Sequence, residues 1–299
     1  MVSCMFKTDC LRSFAEHSVC VFASFLCVTL VAHCQPSPQP QGESPTAGPG
    51  TEIYVTANAP VTASDLTVSI DKQPAQVASV RLAKDDPLLF AILLDVSTSQ
   101  APHGPSEKAV AWQLFQSLST NGNRGVLGYF DVTASVTRVL NLQEAHGLLS
   151  KLGFGGGSSV FDAIAVTCAQ MQKLPGASGT ARKVIILLSD GDDNQSRTRP
   201  EKVEEMAEDG RVAIFSLPVG RTGDAGRRFL EEASARTGGQ MISANTVDEG
   251  VKRLVSAIEG QSMLTLLPSQ KLGQKRHSLV VKDAQKGAGL SAPASIFLR

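Results

Sequence analysis

Five oxygen-bearing side chains stand out by type and spacing. Asp95, Ser97 and Ser99 alternate in one stretch, Ser158 follows a glycine run, and Asp190 stands directly before Gly191. Carboxylates and hydroxyls are hard donors of the kind that Mg²⁺ and Ca²⁺ take. Two acids and three neutral hydroxyls would leave a divalent ion with residual positive charge. Such an ion can accept a carboxylate from a partner, whereas a closed calcium cage would use more Asp and Glu. Taken alone, Asp95-x-Ser97-x-Ser99 also suits a turn that caps a helix, and that stretch does not decide between the two.

The elements that would position these groups come next. Leu88–Leu94 is wholly apolar and reads as a strand buried on both faces. Lys183–Leu188 is a second such run, and each ends at one of the two aspartates. Ligands of open α/β sheets bind at the carboxyl ends of strands. Between and after these runs strands and helices alternate. Expected helices lie near Ser106–Ser119, over Glu144–Lys151, after Ser159, and over Pro200–Asp209, Ala225–Arg236 and Val247–Ile258. Expected strands are Gly125–Phe130, Ser135–Leu140, Val212–Leu217 and Gln240–Ser243. This alternation predicts an α/β fold with a mainly parallel sheet and helices on both faces. In it, the turn after Leu94, the glycine turn at Ser158 and the turn at Asp190 gather on one sheet edge.

The flanks differ. Residues 1–34 have the look of a signal peptide: Lys7 and Arg12 precede an apolar run, Val19–Ala32, that is short for a membrane span. Cleavage is placed after Cys34. Lipidation of Cys34 and an uncleaved anchor are the alternatives, and only these would bring a membrane partner. An exported chain is expected. Five of the six cysteines lie at or before that cut, leaving Cys168 as a buried small hydrophobe. Residues 35–50 form a Pro/Gly-rich linker. Segments 51–85 and 261–299 are β-like, and each is too small to bury a core alone. They are expected to meet as one small β subdomain flanking an α/β domain at 86–260.

Hydrophobic residues make up 42% of the 299, enough for a packed core, and formal net charge is zero. A nucleic-acid partner, which usually needs a basic face, is not expected. Only 5% of residues are aromatic, too few for a base-stacking platform.

Together the three turns resemble the von Willebrand factor A (VWA) domain, a Rossmann-like fold, and its metal-ion-dependent adhesion site. Asp95-x-Ser97-x-Ser99 matches the family's first motif. Gly156-Gly157-Ser158-Ser159-Val160-Phe161-Asp162-Ala163 matches the second, with Ser158 in place of the usual threonine. Asp190-Gly191 matches the third. The likeness runs from about Leu88 to Ile258. It implies that Ser97 and Ser99 bind a metal directly, Ser158 directly or through water, and Asp95 and Asp190 largely through water. The metal implied is Mg²⁺, Mn²⁺ or Ca²⁺, and the partner a protein presenting Asp or Glu. The segment Leu66–Gln76 is similar to one before this domain in exported, acidobacterial-type VWA-related proteins. Thr98 and Gln100 stand where Gly and Met are commoner. Ser158 keeps threonine's oxygen without its methyl group, which implies weaker metal binding and not its loss.

Other chemistries fit less well. Gly155–Gly157 belongs to no phosphate-loop pattern. Asp190, Asp192, Asn194 and Glu201 copy an EF-hand spacing, but Gln195 occupies its obligatory glycine. No Gly-x-Ser-x-Gly surrounds either candidate serine. Asp192 and Asp193 read as a solvated rim, Asp162 as a structural partner under the loop, and Lys271, Lys275, Arg276 and His277 as a solvated turn. A non-enzymatic, metal-dependent binding module is therefore expected. The alternative is a VWA scaffold whose partner binding is independent of metal.

Overall fold

The computed structural model describes residues 50–174, 181–269, 271–284, 287 and 289–298. The expected signal peptide and nearly all of the linker lie outside the described residues.

Two sheets organise the chain. The first has five strands in the order β6-β5-β4-β7-β8. Its centre is β4 (Leu88–Asp95), every residue of which is buried. Parallel neighbours β5 (Arg124–Phe130) and β7 (Arg182–Ser189) flank it, and β8 (Val212–Pro218) extends the parallel set beyond β7. The edge strand β6 (Ala134–Val136) is antiparallel to β5. Connections from β4 run to β5 on one side, and β7 lies on the other. The carboxyl end of β4 is thus a topological switch point, where adjacent loops splay apart and leave a crevice.

Side-chain alternation in β4 feeds two cores. Phe90, Ile92 and Leu94 pack with α1 (Gly104–Leu118), α2 (Leu142–Lys151) and α6 (Val247–Glu259). Leu89, Ala91 and Leu93 face α3 (Val160–Lys173), α4 (Pro200–Gly210) and α5 (Asp224–Arg236). Cys168 sits in this second core, its thiol pushed up to about 12 by burial. The expected α/β fold with helices on both faces is what the structure shows.

The second sheet joins the two flanks. Its order is β1-β9-β3-β2-β10-β11, antiparallel throughout. Strands β1 (Thr51–Val55), β2 (Leu66–Ile70) and β3 (Gln73–Leu82) precede the α/β part. Strands β9 (Ser262–Pro268), β10 (Arg276–Asp283) and β11 (Ser295–Phe297) follow it. Because β9 lies between β1 and β3, neither flank can form this sheet alone.

Three local expectations are corrected. Ser135–Leu140 is a continuous strand only to Val136: the Thr137 hydroxyl accepts the Leu127 amide at 3.0 Å in place of a backbone carbonyl, and beyond it Leu140 makes one isolated antiparallel bridge with Gly125. Gln240–Ser243 makes one bridge, Ser216 to Met241, with backbone bonds only around Ser216. The basic cluster is not a solvated turn throughout. Arg276 pairs with Glu208 at 3.0 Å and with Asp209, and buried His277 lies between Asp71 and the Gly273 carbonyl.

Candidate functional site

Asp95 ends β4, and the chain then turns through a short 3-10 segment, Thr98–His103, into α1. Its Oδ1 accepts the Ser97 amide at 3.0 Å, which folds the turn back over the strand end. Its Oδ2 accepts the hydroxyls of Ser158 at 3.1 Å and Ser189 at 2.8 Å. Asp95 is therefore the node where the ends of β4 and β7 meet the glycine turn before α3. Ser97 and Ser99 hydroxyls lie 3.1 Å apart, and Ser99 donates to Asp190 Oδ2 at 3.1 Å. Asp95, Ser97, Ser99, Ser158 and Asp190 thus all reach one place.

Backbone contacts set that convergence. Gly155 N donates to Val96 O at 2.7 Å, and Thr98 N to Gly156 O at 3.1 Å. Asn194 and Gln195 amides both donate to Ser158 O, while Asn194 Oδ1 accepts the Ser158 amide at 3.0 Å. Asp162 accepts the Arg197 and Thr198 amides at 3.1 and 2.8 Å, the structural role expected of it. Burial raises the Asp162 carboxyl, but the Thr198 and Arg197 bonds outweigh it and hold it low. Asp193 is more than a solvated rim: its Oδ2 accepts the Phe161 amide at 3.1 Å, at the start of α3.

Thr98 and Gln100, two of the three residues that depart from the resembled motifs, are used here. The Thr98 hydroxyl donates to Gly156 O at 2.9 Å, tying the first turn to the second. Gln100 Nε2 donates to Asp190 Oδ2 at 2.7 Å, tying the first to the third. Ser189, Gln100 and Glu107 are site residues that the sequence reading missed. Ser189 looks like an ordinary strand end, and Gln100 like a loop residue. Glu107 carried a signal, since it lies four residues before Ala111 on the apolar stripe of α1.

The electrostatics are those of an acceptor-rich place. Burial raises the Asp95 carboxyl, against bonds from Ser97 and Ser189 that lower it. Burial also raises Asp190. Gln100 Oε1 and both Glu107 carboxylate oxygens are buried without a well-formed hydrogen bond. Among the described residues no three His, Cys, Asp or Glu side chains are grouped to hold a metal by themselves. Any cation here needs the serine hydroxyls as well. The donor set fits one: hard oxygens and two carboxylates. Ser97, Ser158, Asp95 and Asp190 are buried, whereas Ser99 is exposed, so the cluster opens to solvent on one side. His103 ends the same turn with its ring beside Gly220, yet the Ser97, Ser99 and Ser158 hydroxyls bond elsewhere, to one another and to the two aspartates.

No protein-family model and no curated protein matches the sequence. Solved structures that match include VWA-domain proteins. A von Willebrand factor type A protein from Catenulispora acidiphila is 13% identical, with 85% of this chain and 75% of that one covered and a TM-score of 0.47. An aerotolerance-related membrane protein from Bacteroides fragilis is 14% identical, covering 57% and 98%, with a TM-score of 0.47. Proximal thread matrix protein 1 from the mussel byssus, with a zinc-occupied adhesion-site motif, is 17% identical, covering 64% and 50%, with a TM-score of 0.48. At such identities and TM-scores these likenesses say nothing of function, which has to come from the site itself. Among the described residues no helix is long and apolar enough to cross a membrane.

Proposed function

We propose that the chain is a non-catalytic binding module that holds one divalent cation, Mg²⁺ or Mn²⁺ and less readily Ca²⁺, at the carboxyl edge of its parallel sheet. Ser97, Ser99 and Ser158 would offer hydroxyl oxygens, and Asp95 and Asp190 charge. The bound ion supplies a Lewis-acidic point that a protein partner's Asp or Glu can reach. The observation that carries this reading is the pair of hydrogen-bonded sets Ser158–Asp95 and Ser97–Ser99–Asp190, joined through the Ser97 amide on Asp95, drawn from three separate turns and open at Ser99. Neutral hydroxyls leave the ion's charge incompletely balanced, which favours an added carboxylate over water. Hydroxyls bonded to acids without a histidine base do not assemble a nucleophile, which supports binding over catalysis. Export by way of the N-terminal segment, with cleavage or lipidation at Cys34, belongs to the same proposal.

Calorimetric titration of the metal-free chain with Mn²⁺ tests the reading. One ion per chain is expected to bind the wild type. Asp95→Ala is expected to bind at least tenfold more weakly, since it loses both the charge and the anchor of Ser158.

A further inference from the structure

Glu107 breaks the pattern of its own helix. The buried stripe of α1 runs Glu107, Val110, Ala111, Leu114, Phe115, Leu118, the i, i+3, i+4, i+7 spacing of a core-facing face. Every other member is apolar. Glu107 is 0% exposed and neither carboxylate oxygen makes a well-formed hydrogen bond; burial, then the Asp95 charge, push its carboxyl up to about 9 against the lowering effect of the Asp95 backbone amide. An ionised carboxylate placed so is costly unless something compensates it, so an apolar residue would be the cheaper choice. Its position explains what the compensation would be. Glu107 lies in the first turn of α1, the turn nearest the carboxyl edge of the sheet where Asp95 stands. The charged groups acting on it are Asp95 and Asp190, with no basic residue among them. Three acids from β4, α1 and the turn after β7 therefore act on one another in one buried region. The positive end of the α1 dipole offsets this only in part.

We propose that Glu107 is a positioning and charge-balancing residue of the cation site, an acid behind the ligands that strengthens the hold on a divalent ion without touching it. The inference rests on the cation reading above. Direct ligation is not part of it, because no three such side chains are grouped to hold a metal. A second acceptor without a donor, Gln100 Oε1, is buried on the same turn-and-helix unit.

The test is Mn²⁺ titration of Glu107→Gln and Glu107→Asp beside the wild type, with the metal-free melting temperature measured for each. Gln keeps shape and removes the ionisable group, and Asp keeps that group with a shorter reach. The expected result is roughly tenfold weaker Mn²⁺ binding in Glu107→Gln, a smaller loss in Glu107→Asp, and a metal-free melting temperature for Glu107→Gln no lower than wild type. Wild-type affinity in Glu107→Gln, with Asp95→Ala still impaired, would overturn the proposal while leaving the cation site standing. Equal loss of melting temperature in both variants at unchanged affinity would also overturn it, by showing a purely structural residue. Absence of Mn²⁺ binding in the wild type would overturn both readings at once.

Discussion

Asp190 shows how a single side chain depends on its neighbours. Its Oδ2 accepts from both Ser99 and Gln100, and its Oδ1 takes the Asp192 amide at 3.1 Å. Gln100 is the shortest of these contacts and fixes where the carboxylate points. Gln100→Leu keeps the approximate volume and removes both the donor and the unpartnered Oε1. Stability should change by less than ~1 kcal/mol, since a bond and a buried orphan vanish together. Mn²⁺ affinity should fall roughly tenfold to a hundredfold, the usual effect of losing a group that orients a ligand; unchanged affinity on titration would remove Gln100 from the site. The five predicted donors were legible because their types and spacing are unusual: Asp after a buried run, serines at alternate positions, Asp before Gly. Gln100 and Ser189 were not, because amides and hydroxyls next to turns are common and only their three-dimensional partners distinguish them. Glu107 was half legible, since periodicity alone places it in the stripe but does not say that its oxygens make no well-formed hydrogen bond.

At the scale of elements, helix α5 is seated directly on the Asp190 turn. Gly191 has φ +81°, and a Cβ there would lie 2.6 Å from Gly226 O. A Cβ on Gly226 would lie 2.4 Å from Asp190 O. Two glycines thus allow backbone to touch backbone, and the helix presses the aspartate loop into place. Gly226→Ala should cost about 1–3 kcal/mol in urea unfolding, despite alanine's better helix propensity, because the neighbour that must move is main chain. It should also weaken Mn²⁺ binding by displacing Asp190. A neutral or stabilising result would mean that α5 is free to shift and does not hold the loop. Helix and strand existence followed from periodicity, and the alternation gave the parallel sheet. The short extent of β6 did not follow, because a threonine hydroxyl at Thr137 substitutes for the ladder bond that a strand would make.

For the whole molecule, chain ends that are far apart in sequence share one sheet, and one titrating pair joins them. His277 Nδ1 lies 2.7 Å from Asp71 Oδ2, and its Nε2 lies 2.8 Å from Gly273 O. Both partners are acceptors, so both ring nitrogens are used as donors and the charged imidazolium is favoured. The Gly273 carbonyl, then Asp71, raise the histidine above its ordinary 6.5. The His277 and Ser278 bonds hold Asp71 below its ordinary 3.8. A raised histidine contributes stability that is complete below about pH 6.5 and is lost as pH rises through its folded value. A lowered aspartate contributes above about pH 4 and loses that contribution as pH falls through its folded value. The pair is therefore strongest from about pH 4 to 6.5. Melting temperatures should fall between pH 6 and pH 9 in the wild type, and this fall should shrink in His277→Asn; an identical fall in both would show that the pair does not set it. The composite sheet was legible as a whole because two β-rich flanks, each too short for a core, needed one another. Its strand order was not, since antiparallel pairing at this separation leaves no local sign of which edge meets which.

The central claim is that three turns build one incomplete cage for a divalent ion. Titrating the metal-free chain with Mn²⁺, in wild type, Asp95→Ala and Ser99→Ala, tests it most directly. A single ion per chain in the wild type is expected, with affinity reduced at least tenfold in both variants while their folds persist by circular dichroism. A wild type that takes up no Mn²⁺, or variants that bind it as tightly as the wild type, would contradict the claim.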